Sequence, residues 1–322
     1  MIEPATPEAI ERAARRLADG GLVAFPTETV YGLGADAARP DAVARIYALK
    51  GRPPDHPLIV HVTDREHARR WGRLDARAER LIDRFWPGPL TLVVPLADGA
   101  PPWACAGQSS VGLRCPSHPV ACELLRRFVA HGGSGVAAPS ANRFGKVSPT
   151  TAAHVAADLG DDAPLILDGG AAEVGVESTI VDLTRAIPVL LRPGRIGREA
   201  LALALGSAPI DRDADAPRAS GTLAAHYRPA TRLELVAPGA LAARTAAAGA
   251  ARIGVWSRLG PGPPVAHWEP AAADPAAFEA VHYDTLRRLD SLALDRVLVE
   301  SPPADAAWEA VRDRLSRAAV TD

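Results

Sequence analysis

The chain has 322 residues, 48% of them hydrophobic and 23% charged, enough apolar side chains for a large α/β unit plus a smaller one and no signature of disorder. A formal net charge of −2 argues against a protein whose main task is to hold an RNA backbone, since that affinity comes largely from phosphate neutralisation, although a local basic cleft stays open. The three cysteines, Cys105, Cys115 and Cys122, are odd in number and lack C-x-x-C spacing, which speaks against a disulfide framework and a zinc site.

Met1-Ile2-Glu3-Pro4 offers no basic start before an apolar run, and no stretch approaches the roughly 20 apolar residues of a membrane span, so the chain reads as cytoplasmic. Thr6 is placed as N-cap of a first helix, with Pro7 at its first position and Gly20-Gly21 as its stop. A buried strand over 22–25 follows. After a glycine-bearing loop, Pro40-Asp41 opens a helix to Leu49, and 58–62 reads as the next strand. A helix over 75–85, strands over 90–94 and 111–114, and a helix over 119–129 continue the alternation. Beyond Gly132-Gly133 comes a strand over 136–138, then Ser148-Pro149 as N-cap and first-turn proline of a helix to Leu159. Strands over 165–167, 179–182 and 189–192 complete a mixed α/β domain over 1–205. From 206 to 230 the periodicity fails and Ala, Pro, Asp, Arg, Ser and Gly dominate, which reads as a linker, and one of this length is more often a functional lid than a passive tether. Strands over 233–236, 252–256 and 296–300 between Ala-rich helices make 231–322 a small second α/β domain.

The polar residues cluster beside these strands. Pro26 to Gly34 (P-T-E-T-V-Y-G-L-G) puts two hydroxyls and a carboxylate at a strand's carboxyl end, where ligands of α/β sheets bind. A turn whose threonines bond their own backbone is the plainer alternative. Only two of the 36 basic residues are lysines, Lys50 and Lys146. Lys50 and Arg52 stand one residue apart on a proline-stiffened loop that can clamp phosphate oxygens, one as a point charge and the other as a planar fork. A surface pair at a helix end would give the same spacing. Ser110, Arg114, the run Ala138-Pro139-Ser140-Ala141-Asn142, Ser148, the run Gly175 to Ile180 (G-V-E-S-T-I) and Leu191 to Gly194 (L-R-P-G) add further donors. No G-x-x-x-x-G-K-[ST], G-x-S-x-G or H-E-x-x-H sequence occurs, so catalysis would rest on positioning and charge stabilisation rather than on a P-loop or a covalent nucleophile.

Taken together, these motifs resemble the threonylcarbamoyl-adenylate synthase family in its long form with a C-terminal domain. Residues 9–197 match its catalytic module, Lys50-x-Arg52 and Ser140-x-Asn142 being the family's signature pairs, and His226-Tyr227 with the strands beyond match its linker and extra domain. The resemblance implies a twisted mixed-sheet catalytic domain with a concave basic cleft, plus a smaller Rossmann-like α/β domain. It implies condensation of L-threonine, bicarbonate or CO2, and ATP to threonylcarbamoyl-AMP and pyrophosphate, for threonylcarbamoyladenosine in tRNA. Threonine contacts carried over by motif position are Thr29, His61, Arg114, the backbone at Ala138, and Ser178. ATP contacts are Lys50, Arg52, His56, Ser110, Ser140, Asn142, Ser148, Arg192 and His226, Lys50 and Arg52 having the catalytic role. Mg2+ is expected through the ATP phosphates, with no metal site of the protein's own. A downstream tRNA threonylcarbamoyl-transferase is the expected partner, with weak tRNA contact and no membrane. Two positions depart from the family pattern: His56, where relatives often carry asparagine, and Ser220-Gly221-Thr222, where many have Pro-Gly-Met. An RNA-binding module is the alternative reading of the same surface, and a carbamoyl-adenylate domain of a larger carbamoyltransferase would need a fused partner domain.

Overall fold

A computed structural model describes residues 1–260 and 262–320. The chain forms two compact units, the first comprising Met1–Phe144 and Ser148–Thr222, the second Gly145–Val147 and the chain from Leu223 onward. The stretch read as one linker is therefore shared: 206–222 belongs to the first unit and 223–230 to the second.

The first unit is built on an eleven-stranded mixed sheet. In chain order its strands are β1 (Ile2–Pro4), β2 (Val23–Phe25), β3 (Gly32–Asp36), β4 (Ile59–His61), β5 (Leu90–Pro95), β6 (Ser110–Arg114), β7 (Val136–Ala137), β8 (Leu165–Asp168), β9 (Thr179–Asp182), β10 (Val189–Arg192) and β11 (Ile210–Asp211). They lie side by side as β1-β8-β2-β3-β7-β4-β6-β5-β9-β10-β11. Most are three to five residues long and buried throughout, as befits a sheet covered on both faces. On one face α1 (Pro7–Ala18) and α5 (Pro119–Ala130) share an apolar cluster with Phe25, Val136 and Leu167. A larger cluster on α2 (Pro40–Lys50), α3 (Arg65–Trp71), α4 (Ala76–Phe85), α6 (Ala152–Leu159) and α7 (Arg198–Leu205) packs against Leu33, Val60 and Leu92. A smaller patch made by Ile59, Val93, Ile180, Val189 and Leu191 is covered by Ala216 and Ala219, two residues of the stretch expected to be linker.

Helix starts follow the local chemistry. The Thr6 hydroxyl accepts from the Ala9 N–H with Pro7 just inside α1, and Asp75 caps α4 through the Arg77 and Ala78 N–H groups, as side-chain acceptors at N-caps do. One cap is corrected. α6 starts at Ala152 and is capped by Thr151, which accepts from the His154 N–H, because the Ser148 hydroxyl is fully buried and donates to Glu177 instead. The glycine-bearing loop after β2 also contains a strand, β3. Gly34 serves close packing there rather than a turn: a Cβ at that position would stand 2.8 Å from Phe25 Cε1 and 2.9 Å from Val136 Cγ1.

The second unit is a four-stranded parallel sheet, ordered β12 (Arg232–Val236), β15 (Arg296–Glu300), β13 (Ile253–Ser257) and β14 (His267–Pro270). α8 (Leu241–Ala246), α9 (Pro275–Asp290) and α10 (Glu309–Ala318) accompany it, and Trp256 stacks on Phe278 at 4.5 Å. No helix among the described residues is long and apolar enough to cross a membrane.

The packing around Gly34 predicts that Gly34→Ala destabilises the first unit by about 1–3 kcal/mol, the usual range for overpacking. Urea unfolding should show a lower midpoint with an unchanged m-value. An unshifted midpoint would mean that Phe25 and Val136 yield freely.

Candidate active site

α2 stops where Gly51 takes φ 62, a left-handed conformation that glycine adopts without steric cost. The turn sets Lys50 and Arg52 side by side, and both are buried, with 2% and 7% exposure. Lys50 Nζ donates to the Ser140 carbonyl at 2.6 Å and to the Asn142 carbonyl, tying the loop after β7 to the end of α2. Burial, reinforced by Arg52, pushes the Lys50 pKa well below the usual lysine value. Arg52 Nη2 donates to the Pro57 carbonyl at 2.9 Å and to Ser220 Oγ at 3.2 Å, and Nε reaches the His56 carbonyl at 3.4 Å. Its guanidinium carbon lies 5.6 Å from the Phe144 ring centre, and the His56 ring is 5.5 Å from the same ring, a cation–π arrangement. Burial and Arg52 lower the His56 pKa.

Arg192 ends β10 and is equally hidden. Its Nε and Nη2 donate to the Ser178 carbonyl at 3.1 and 3.0 Å, Nη2 also reaches Ser178 Oγ at 3.1 Å, and Nη1 donates to the Ser220 carbonyl at 3.0 Å. Ser178 Oγ shares a 2.8 Å hydrogen bond with Thr91 Oγ1. Ser220 thus accepts from both Arg52 and Arg192. The strand ends can approach this closely because Gly194 has no side chain: a Cβ there would stand 2.6 Å from the Thr179 nitrogen and 2.7 Å from the Glu177 carbonyl oxygen.

The third group lies along β4 and β6, which are parallel with His61 opposite Arg114. Arg114 Nη2 stands 2.7 Å from Glu28 Oε1 in the loop after β2. Burial alone would raise the Glu28 pKa, but the Arg114 charge and the backbone N–H donors at Glu28 and Ser117 hold it below the usual carboxylate range. Burial together with Arg114 pushes the His61 pKa down to about 3, so its ring is neutral near pH 7. Thr29 Oγ1 is 2.9 Å from Thr27 Oγ1, which donates to the Val30 carbonyl at 2.6 Å; this is the backbone-bonded turn, with the buried Glu28 carboxylate between the two threonines in sequence. The Ala138 N–H donates to the Ile59 carbonyl at 2.9 Å.

The other expected residues make contacts of their own. Ser148 Oγ donates to Glu177 Oε1 at 2.6 Å. Asn142 Nδ2 donates to the Arg143 carbonyl at 2.8 Å, and Ser140 bridges to Gly32. Ser110 lines a cleft with Thr91, Gly112, Ala219 and Ser220, whose free volume is about 20 Å3, room for about one water molecule. His226 belongs to the second unit, where its N–H donates to the Arg317 carbonyl at 3.3 Å and its ring packs edge-on against Tyr227 at 4.2 Å. The structure therefore joins Arg52, Ser178 and Arg192 in one network, Lys50 with Ser140 and Asn142 in another, and His61 with Arg114 in a third. Four participants were not anticipated as site residues: Glu28, Thr91, Glu177 and Ser220. Glu28 and Glu177 were visible as carboxylates inside chemically rich motifs; Thr91, in the middle of an apolar strand, carried no such signal.

Buried cations held on neutral oxygens, and a further buried cation paired with a carboxylate in the same unit, define a mixed α/β protein whose polar interior is suited to anionic ligands. Residues 15–194 match the family described as Telomere recombination, and residues 196–320 match the family described as Threonylcarbamoyl-AMP synthase, C-terminal domain. A threonylcarbamoyl-AMP synthase from Bacillus subtilis (strain 168) is 39% identical over 324 residues, covering 96% of this chain and 92% of the relative. One from Pyrococcus abyssi is 43% identical over 233 residues, covering 70% of this chain and 67% of the relative. The crystal structure of P. abyssi Sua5 complexed with L-threonine matches with a TM-score of 0.90 at 35% identity, over 99% of this chain and 96% of that one. The chain belongs to the threonylcarbamoyl-AMP synthase family, in the form that carries the family's own C-terminal domain.

Because backbone atoms surround Gly194, Gly194→Ala should displace Ser178 and Arg192 and cost about 1–3 kcal/mol. A thermal melt should shift down by several degrees, and L-threonine, tested by titration calorimetry, should lose affinity with it. Unchanged affinity would separate Ser178 from the ligand.

Proposed function

We propose that the chain condenses L-threonine, CO2 or bicarbonate, and ATP into threonylcarbamoyl-AMP and pyrophosphate, acting as a nucleotidyltransferase in the cytoplasm and passing its labile product to a transferase that modifies tRNA adenosine. The observation that carries this reading is the pairing of two kinds of buried cation in one unit: Arg114 beside a carboxylate, and Lys50, Arg52 and Arg192 on neutral oxygens. The first suits the carboxylate of an amino acid, the second a polyphosphate. In this reading the amine of threonine adds to CO2, the resulting carbamate oxygen attacks the α-phosphorus of ATP, and pyrophosphate leaves. Lys50, Arg52 and Arg192 offset the negative charge that builds on the phosphates, while Arg114 fixes the carboxylate and so the line of attack. Thr29, His61 and Ser178 face the threonine end, with His61 as a neutral ring. His56, Ser110, Ser140, Asn142 and Ser148 serve the nucleotide.

No group of three or more His, Cys, Asp or Glu side chains among the described residues is placed to hold a metal ion. The donor set is cationic, so Mg2+ belongs to this proposal only as the companion of the triphosphate, and no step is derived through it.

Ser220 occupies donors of both Arg52 and Arg192. Phosphate oxygens would compete for the same N–H groups, so the stretch 206–222 is proposed to act as a cover that rearranges when ATP binds and then shields an anhydride prone to hydrolysis. Limited proteolysis of the full chain within this stretch should change when ATP and threonine are both present; an unaltered pattern would remove the cover from the proposal.

The direct test is threonine- and bicarbonate-dependent release of pyrophosphate from ATP by the purified protein. Arg52 is buried with carbonyl partners rather than exposed on its loop, so the cleaner variant is Arg52→Lys, which keeps the charge and loses the fork. It should lower turnover about 100-fold or more, the scale of losing one preorganised donor, with circular dichroism unchanged. Lys50→Arg should be impaired as well, since a fork does not fit where a compact ammonium sits between two carbonyls. Wild-type turnover in either variant would remove that residue from the phosphate site.

A further inference from the structure

Glu28 is a carboxylate to which the reaction above assigns no task. It is 5% exposed and Arg114 is 4% exposed, and their charged ends are 2.7 Å apart. Yet the approach is not directed as a hydrogen bond. Glu28 Oε1, Arg114 Nε and Arg114 Nη2 are all buried without a hydrogen-bond partner, while Glu28 Oε2 accepts from the Ser117 N–H at 3.2 Å. A structural arginine–carboxylate pair is normally joined fork to fork, with its donors satisfied. Here one acceptor and two donors, of opposite charge and adjacent to each other, remain to be satisfied, which in a buried place calls for an explanation.

A carboxylate laid against Nε and Nη2 would make the side-on bidentate contact of a guanidinium, and an N–H group offered to Oε1 would complete the acceptor. Both come from a single ligand when carboxylate and amine sit on one carbon, as in an α-amino acid. A fully ionised phosphate or a simple carboxylate satisfies the arginine and leaves the glutamate as it was.

We propose that Glu28 Oε1 receives the α-amine of the amino-acid substrate while Arg114 holds its carboxylate, and that Glu28 accepts the proton the nitrogen loses on adding to CO2. The inference rests on the threonine reaction proposed above. The lone pair of the neutral amine forms the nitrogen–carbon bond, and one carbon–oxygen π pair moves onto oxygen, giving the zwitterion R–NH2+–CO2−. One N–H bond then breaks: its electron pair stays on nitrogen, and the proton passes to Glu28 Oε1. The products are the carbamate R–NH–CO2− and a protonated Glu28, which returns the proton to water after turnover. A carboxylate suits this step because the nitrogen of that zwitterion is far more acidic than a free ammonium group. Glu28 is not asked to deprotonate the incoming ammonium form.

The experiment uses the full-length protein, with calorimetric titration of L-threonine and of the R enantiomer of β-hydroxybutyrate, which is threonine without its amine. Wild type should bind threonine at least about tenfold more tightly, the scale of one charge-assisted hydrogen bond. Glu28→Gln keeps an oxygen for the Ser117 N–H; it should shrink that preference to about threefold or less and lower turnover about 100-fold, as for loss of a general base, with the KM for ATP unchanged. Glu28→Asp should retain more turnover than Glu28→Gln. If wild type binds both ligands equally, or if Glu28→Gln weakens both alike, Glu28 only supports Arg114 and the proposal fails. Undiminished turnover in Glu28→Gln overturns it too. Wild type that neither binds threonine nor releases pyrophosphate would instead overturn the reaction itself, and this inference with it.

Discussion

Lys50, Arg52, Arg114 and Arg192 are each more than nine-tenths buried within one compact unit, and that is the constraint on which the surrounding structure depends. Withdrawing an ion from water costs several kcal/mol even after relaxation, unless oxygens replace the lost hydration. The chain supplies them largely from its backbone: Ser140 and Asn142 for Lys50, Pro57 for Arg52, and Ser178 for Arg192. Those carbonyls belong to loops that lead into or out of very short strands. The loops are thereby pinned by the cations, and the sheet order, with β7 inserted between β3 and β4 and β9 beside β5, is what carries the loops to one another.

Much of this architecture was legible where the signal is local. The cap at Thr6, the proline at the start of α1, and the apolar runs of β5, β6, β9, β10 and β15 need only a few neighbouring residues to be recognised. What escaped depends on distant partners. β3 looks like a loop because its glycines suggest turns, whereas Gly34 is small to admit Phe25 and Val136. Ser148 looks like a cap until Glu177, from elsewhere in the chain, claims its hydroxyl. Between 206 and 222 the composition is that of a tether, yet two alanines, Ala216 and Ala219, close an apolar patch of the sheet; alanine burial leaves almost no periodic trace. At the site, the motif residues were readable as a set of donors, but their grouping was not, since nothing in the spacing of Arg52, Arg192 and Ser220 says that they meet.

The second unit illustrates the same division. Its strands β12, β13 and β15 announce themselves as apolar runs, and β14 does not, because His267-Trp268-Glu269-Pro270 is short and mixed in character. Its parallel pairing to β13 becomes evident only when the sheet is assembled. The unit has its own aromatic core, with Trp256 stacked on Phe278 and Trp308 edge-on to Phe278.

The partners chosen for the buried cations differ in a way that bears on chemistry. Lys50, Arg52 and Arg192 are held on neutral acceptors, whereas Arg114 faces a charged one. Hydrogen bonds to a charged acceptor are roughly twice as strong as those between neutral groups, so phosphate oxygens have an advantage over the Ser220 hydroxyl and carbonyl at the arginine donors. Under the proposed function, that difference is what favours displacement of Ser220. A ligand carboxylate arriving at Arg114 supplies acceptors for Nε and Nη2 but sets a second negative charge beside Glu28. It gains only if Glu28 is given a new positive or acidic partner at the same moment. An amino acid brings one, and a simple carboxylic acid does not, so under the proposed function the asymmetry of the pairing suits an amino acid at Arg114 and a polyphosphate at Lys50, Arg52 and Arg192 before any contact with their side chain or base is made.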